Sequence, residues 1–211
     1  MNVGQKASVS LLIAVLLFAA LSVAAFSGLF DAIESRFYNP SVSRGYEESL
    51  DKIAKLADSY HARNLDRFSA VLSLDAVRRS FLPNISAQDA FDRANALGKL
   101  QEETLGLSGL RLVDADGKRI HFSTFAGDVL RRGDLETVYR NYGEAGDAPY
   151  DSVAATESSG PRISIDTASG RFVYSLPFFD SFKAYRGSAV FFVSFDGLAA
   201  LLVKDGLLPV G

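Results

Sequence analysis

In this 211-residue chain, helical spacing gives way to strands at Leu110-Arg111-Leu112-Val113-Asp114-Ala115-Asp116-Gly117-Lys118. Apolar residues before this stretch recur every three or four positions, whereas here they alternate with polar residues or form short runs. Residues 110–114 therefore predict a strand, and Ala115-Asp116-Gly117 predicts a tight turn. Residues 118–122 then predict the antiparallel return strand.

Two later stretches extend the predicted sheet. Residues 163–166 and 172–176 are joined by a short polar turn and predict a second hairpin. Residues 187–195 are strongly hydrophobic, which is typical of a strand in the interior of a sheet or next to its edge. A final helix is expected over residues 198–203, with Asp196 as its N-cap.

Before the sheet, the spacing predicts two helices. A long amphipathic helix is expected over residues 46–81, with a break at Asn39-Pro40 and a stop at Pro83. Ser86 predicts the N-cap of a second helix that ends near residue 105. The expected buried face of this second helix comprises Phe91, Ala94, Leu97, Leu100 and Leu105.

The order of these elements predicts an α+β fold. We expect an antiparallel sheet of about five strands with helices packed on one face. Residues 127–161 are rich in Gly, Asp, Ser and Ala and lack sustained periodicity. Loops and a helical turn near residues 135–142 are therefore expected in this middle segment.

The N-terminal 30 residues carry a membrane signal. From Ala7 to Phe30 no side chain is charged, and 24 residues in a helix are long enough to cross about 30 Å of hydrocarbon. With Lys6 before the segment and a long polypeptide after it, we expect a single-pass anchor in the inner membrane and an extracytoplasmic placement of residues 31–211. A signal peptide cleaved after Val23-Ala24-Ala25 is the alternative, and it would also export the domain.

Composition narrows the function classes. All 25 acidic residues and 21 of the 22 basic residues follow Phe30, so that part of the chain carries a net charge of −4. Its basic residues form short pairs and no stripe, which disfavours nucleic acid as a partner. The chain has no cysteine, so no disulfide framework is expected.

Motifs for catalysis and cofactors are missing from the sequence. The two histidines, His61 and His121, lie on different predicted elements, so zinc spacing is absent. Asp114-Ala115-Asp116-Gly117 resembles the start of a calcium loop, but its glycine is at position four, and we interpret it as a hairpin turn. The sequence has no nucleophile elbow, phosphate loop or dinucleotide glycine pattern. We therefore predict no enzyme activity, no cofactor and no metal site.

Polar and aromatic residues in the irregular middle segment, and on or beside the second hairpin, are the candidates for ligand contact. A pocket for a small polar ligand needs such groups at the rim of an aromatic cavity. The predicted ligand-binding residues are Arg132, Tyr139, Tyr142, Tyr174 and Asp180.

Taken together, the chain resembles the extracytoplasmic Cache (PAS-like) sensor domains of bacterial membrane receptors. The most specific stretches are residues 110–118, quoted above, and Gly187-Ser188-Ala189-Val190-Phe191-Phe192-Val193-Ser194-Phe195-Asp196. The resemblance divides the chain into a cytoplasmic tail (residues 1–6), an anchor (7–30), a helical stalk region (31–105) and a Cache/PAS-like module (106–211).

The resemblance implies a sheet that holds a small molecule such as an amino acid or a carboxylate, and a homodimer that forms through the long helix. It implies a signal-transduction receptor, such as a chemoreceptor or a sensor kinase, which would continue past Gly211 with a second span and an output domain. Tyr139-Arg140-Asn141-Tyr142 lies in the region of the amino-acid-binding signature of this family but does not match it. The alternative function is an anchored or secreted interaction module that binds a partner through its long helix and takes no small ligand.

Overall fold

The computed structural model describes Ser22, Gly28 and residues 31–33, 35–36, 39–81, 85–132, 137–146 and 149–208, with the side chains of residues 39–43, 81 and 132 excepted. The predicted tail and anchor, residues 1–30, lie outside these residues apart from Ser22 and Gly28. None of the described helices is both long enough and apolar enough to cross a membrane.

The chain forms two compact units, Met1–Ile53 and Ala54–Gly211. In the first unit, the structure describes mainly the N-terminal part of the long helix α1, where Tyr46 and Leu50 are exposed. The second unit contains the rest of α1 and all other helices and strands named below.

From residue 39 onward, the α-helices of the described residues are α1 (Asn39–Leu72), α2 (Asp75–Arg78), α3 (Ala87–Glu103), α4 (Tyr150–Val153) and α5 (Phe195–Lys204). The predicted end of α1 at residue 81 is wrong. Leu74 has an extended backbone (φ −69°, ψ 133°), so the apolar spacing that continues beyond it belongs to the separate helix α2. Helix α1 begins at Asn39, which places Pro40 in the first turn, where its missing N–H costs no helical hydrogen bond.

For the later helices, one predicted detail is confirmed and two are wrong. Ser86 is confirmed as the N-cap of α3, since its side chain accepts a hydrogen bond from the Asp89 N–H. Leu97 and Leu100 are buried, but Phe91 is 61% exposed, and the predicted burial of Ala94 and Leu105 is likewise wrong. In α5 the N-cap is Ser194 and not Asp196, because the helix begins earlier, at Phe195.

Within the described ranges, the strands are β1 (Leu107–Asp114), β2 (Ile120–Ser123), β3 (Val129–Arg132), β4 (Thr137–Tyr139), β5 (Arg162–Asp166), β6 (Arg171–Phe179) and β7 (Tyr185–Ser194). Five of them form an antiparallel sheet in the order β2-β1-β7-β6-β5, and β3 pairs with β4 in a separate ribbon. The α+β class, the five-stranded sheet and both hairpins are confirmed. The helical turn predicted near residues 135–142 is wrong at residues 137–139, which form β4.

The sheet has two covered faces. On the helix face, α1 and α3 pack against alternate residues of β1, β6 and β7, and the ring of Phe68 stacks on Phe191 with centroids 4.1 Å apart. On the loop face, the segment that follows β4 covers Val113, Val173 and Phe192. This alternation decides which side chains can meet, because neighbouring residues of a strand point to opposite faces.

Candidate functional site

A groove of about 520 Å³ lies on the helix face, and we call it the helix–sheet groove. The last turn of α1 contributes Ser69 and Leu72 on one side, and β6 contributes Leu176 and Phe178 on the other. The volume is within the range typical of small-molecule sites. The described residues that line it are Ser69, Leu72, Ser73, Arg78, Pro161, Leu176, Pro177, Phe178, Phe179 and Lys183.

Asp180, one of the predicted site residues, organises the turn beside this groove. Its Oδ1 accepts hydrogen bonds from the N–H groups of Phe182 (2.8 Å) and Ala184 (3.0 Å), and its Oδ2 lies 2.7 Å from the guanidinium of Arg186. Burial raises the pKa of Asp180, whereas these hydrogen bonds and the Arg186 charge lower it. The lowering effects together are larger, so the pKa of Asp180 is below its ordinary value. The side chain is therefore an ionised turn-former.

The Asp180 turn contacts both cationic residues of the groove. Lys183 has φ +61°, a left-handed conformation that residues other than glycine rarely adopt, and its N–H donates to Asp180 O at 3.0 Å. The same carbonyl accepts from Arg78 Nε (3.1 Å) and Nη2 (2.6 Å). The Asp180 carbonyl thus binds both the Arg78 guanidinium and the backbone of Lys183, and both residues line the groove.

Tyr174, a second predicted site residue, is fully buried on the helix face. Its hydroxyl lies 2.6 Å from Nδ1 of His61 and accepts a hydrogen bond from Asn64 Nδ2 at 3.1 Å. It is on the same face of β6 as Leu176 and Phe178, but the groove lining does not include it. In this structure Tyr174 joins α1 to the sheet.

Tyr139 and Tyr142 lie on the loop face, away from Tyr174 and the groove. Tyr142 is 2% exposed and meets the ring of Tyr150 edge to face, with centroids 5.5 Å apart. Tyr139 is half-buried and contacts Phe122 in the same way at 6.3 Å. Arg132 ends β3, but its side chain lies outside the described residues. The four predicted residues whose side chains the structure describes therefore do not converge on one site, and a ligand role for each of the five remains a prediction.

A buried charge cluster on the loop face was not found from the sequence. Asp128 is 1% exposed and accepts hydrogen bonds from Arg111 Nε (2.7 Å) and Ser123 Oγ, while Arg140 Nε lies 3.2 Å from Oδ1. The Arg111 guanidinium also lies 4.5 Å from the ring centre of Phe125. The available signal was Arg111 itself, a charged residue between Leu110 and Leu112 in an apolar strand.

Burial raises the pKa of Asp128, but hydrogen bonds from Arg111 and Ser123 and the charges of Arg111 and Arg140 lower it below its ordinary value. The carboxylate is thus ionised and paired inside the protein. Among the described residues, no group of three or more His, Asp or Glu side chains is placed to hold a metal ion. The charge cluster therefore has the character of a structural ion pair.

With this geometry in place, comparison with known proteins gives the family. The TP_0593_N family, described as an N-terminal domain, matches residues 38–211. The chain belongs to this family. The matched residues include all of the strands β1–β7 and helices α1–α5 named above. They also include the described residues that line the groove.

A relative in Treponema pallidum (strain Nichols), described as an uncharacterized protein, is 32% identical over 210 residues. The alignment covers 99% of this chain and 31% of the relative. It therefore also extends over residues that precede the TP_0593_N match. The chain spans about a third of the length of this relative.

Proposed function

We propose that the chain is the extracytoplasmic ligand-sensing region of a membrane signal-transduction receptor, and that its small-molecule ligand binds in the helix–sheet groove. One observation carries this proposal: the groove is lined by the last turn of α1 on one side and by β6 on the other. An occupant would contact helix and sheet at once. Its binding would depend on how α1 packs against β6.

The mechanism is a shift between two packings of α1 on the sheet. A ligand changes such an equilibrium only by its difference in affinity for the two states, so it must contact groups that move relative to each other. Leu72 on α1 and Leu176 on β6 are buried groups of this kind. The contact of Tyr174 with His61 and Asn64 lies on the same pair of elements and would respond to the same movement.

The comparisons support a sensing role indirectly. The TP_0593_N family is described as an N-terminal domain, and the Treponema relative continues well beyond the matched region. A sensing region needs an output domain elsewhere in its protein. The unmatched part of the relative is long enough to contain such a domain. The Cache resemblance of residues 106–211 and the uncharged segment at residues 7–30 favour the same reading and belong to the proposal, as does a homodimer through α1.

A second function is favoured by a separate observation. Tyr46 and Leu50, spaced four residues apart on α1, are 68% and 64% exposed. Residues at this spacing share a helix face, and an exposed apolar pair is a typical contact for another protein. An anchored interaction module that uses α1 and takes no small ligand is therefore the competing proposal.

A thermal-shift screen of the full chain with amino acids, carboxylates and sugars tests the sensing proposal. A ligand that binds only the folded state must raise the melting temperature. Each hit is then measured on Ser69→Trp, which fills the groove from the exposed end of α1, and on Ala70→Trp as the matched control. Ala70 is also exposed, but it is not among the residues that line the groove.

The sensing proposal expects hits that stabilise the native sequence and the Ala70→Trp variant but not Ser69→Trp. Hits that stabilise all three alike would place the ligand elsewhere and overturn the role of the groove. If no compound shifts the melting temperature and the chain associates through Tyr46 and Leu50, the interaction module replaces the sensor.

A further inference from the structure

We infer that the occupant of the helix–sheet groove is a small amphipathic monoanion, with its apolar body against the groove floor and its acidic head between Arg78 and Lys183. This inference rests on the proposed function and names the ligand class of the same site. It follows from three properties of the lining that the structure describes: an apolar floor, two cationic residues, and no Asp or Glu.

The floor of the groove is hydrocarbon. Leu72, Leu176 and Phe178 are buried beneath it, and Pro161 and Pro177 continue the apolar surface toward β5. Apolar area of this kind is favourably covered by an apolar ligand, because water is released from both surfaces. A fully polar compound, such as a sugar, would have no hydrogen-bond partners on this floor.

Lys183 supplies the first cation. Its left-handed backbone conformation would suit glycine better, yet the bonds made by Asp180 hold a lysine there. Strained residues of this kind concentrate at binding sites. Lys183 takes part in none of the ion pairs formed among the described residues. As far as the described residues show, its ammonium group is therefore available to bind an anion.

Arg78 supplies the second cation, and it is held by hydrogen bonds to a neutral carbonyl. Because Nε and Nη2 donate to Asp180 O, the guanidinium is fixed while its positive charge is kept. The carboxylate of Asp75 lies 3.9 Å from Nη1, and its side chain is 72% exposed. Solvent screens a pair of this kind, so the Arg78 charge can still act on a ligand.

The lining residues also discriminate between two ligand classes. None of the ten described residues that line the groove is Asp or Glu. A free amino acid would place its ammonium group beside Arg78 and Lys183, and none of the described lining residues has a carboxylate to accept it, which is unfavourable. A simple carboxylate with an apolar body satisfies the same cations without this penalty.

The absence of cysteine allows a direct test on the full chain in isolated membranes. Ser69→Cys places a single thiol in the groove, and Ser158→Cys places one at an exposed control position. The rate of modification by N-ethylmaleimide is measured with octanoate, octylamine, octanol and leucine. Phosphatidylglycerol vesicles, which present an anionic head with two chains, form a separate arm.

We expect octanoate to slow modification of Ser69→Cys at concentrations at least tenfold below those needed for the other three compounds, and to leave Ser158→Cys unaffected. In the Ser69→Cys background, Lys183→Asn should weaken octanoate protection about tenfold, whereas Lys183→Arg should retain it. Asparagine tolerates the left-handed conformation, so Lys183→Asn removes the charge and keeps the turn. The comparison of octanoate with octylamine uses unaltered cations and remains decisive if Lys183→Asn does not fold.

Equal protection by octylamine, octanol or leucine would overturn the inference that the ligand is a monoanion. The groove would remain a ligand site. Protection by the vesicles and not by octanoate would overturn it in favour of a membrane lipid. No protection by any probe, together with screen hits that Ser69→Trp does not affect, would overturn the groove and the proposed function with it.

Discussion

The hydroxyl of Tyr174 lies 2.6 Å from Nδ1 of His61 and joins the central part of the sheet to α1. Burial raises the pKa of Tyr174, so the phenol stays protonated. Burial also lowers the pKa of His61, although the charge of Asp58 acts in the opposite direction. A neutral imidazole can accept the phenol proton while Asn64 donates to the phenol oxygen, so each of the three side chains has a partner.

Tyr174→Phe should lower the free energy of unfolding by about 1–3 kcal/mol. The substitution keeps the ring but leaves the buried amide of Asn64 without this acceptor. Urea denaturation followed by circular dichroism measures the loss. Tyr46→Phe removes a hydroxyl from a residue that is 68% exposed and should change stability little. Equal effects of the two substitutions would show that the Tyr174 contact does not stabilise the fold.

Acid should destabilise the protein through His121. Burial, followed by the charges of Arg119 and Arg186, lowers the pKa of His121 to about 4. The unfolded chain therefore binds a proton on this residue near pH 6.5 that the folded chain does not bind. The contribution of neutral His121 to the free energy of unfolding is complete above pH 6.5 and is lost as the pH falls from 6.5 toward 4. His61 acts in the same direction.

His121→Gln isolates this effect because glutamine does not titrate. The melting temperature of the native sequence should fall more steeply between pH 7 and pH 4.5 than that of the variant. Burial raises the pKa of Asp114, which lies 4.0 Å from His121, and this carboxyl group has the opposite influence on stability. Parallel pH profiles for the two proteins would contradict the assignment to His121.

The strands could be predicted from the sequence because their signal is local. Alternation in residues 110–114 and the hydrophobic run at residues 187–195 follow from which face each residue covers. The end of α1 could not be read in this way, since α2 continues the same apolar spacing after the extended Leu74. The predicted burial of Phe91 was wrong for a similar reason. The helical spacing was right for α3, but Phe91 lies on an exposed face of that helix.

The site was harder to predict because its contacts join residues that are far apart in the sequence. Arg78 meets the Asp180 carbonyl 102 residues away, and Tyr174 meets His61 across 113 residues. Residue type pointed to Asp180, but only the structure shows that it forms the turn that carries Lys183. The Arg111 and Asp128 pair depends on how the segment after β2 folds back over the loop face.

Asp128→Asn should lower the free energy of unfolding by about 3–5 kcal/mol. The substitution leaves the guanidinium groups of Arg111 and Arg140 beside a neutral amide in a site where Asp128 is 1% exposed. Chemical denaturation measures the loss. Asp116→Asn is the matched control, because Asp116 is exposed and lies 3.9 Å from Lys118, and it should have little effect. Similar losses for the two variants would contradict a stabilising role for the buried cluster.

Two glycines should respond to alanine with opposite signs. Gly187 in β7 has φ +141°, and a Cβ there would lie 2.0 Å from the carbonyl oxygen of Val113 in β1, so Gly187→Ala should cost at least about 2 kcal/mol. Gly98 lies within α3, and apart from its chain neighbours and the helix backbone no atom lies within 4 Å of an added Cβ. Gly98→Ala should therefore stabilise by about 0.5–1 kcal/mol, because alanine favours the helix. Urea denaturation of both variants decides the question. A stable Gly187→Ala protein would mean that β1 and β7 are not packed as closely as Gly187 and Val113 are here.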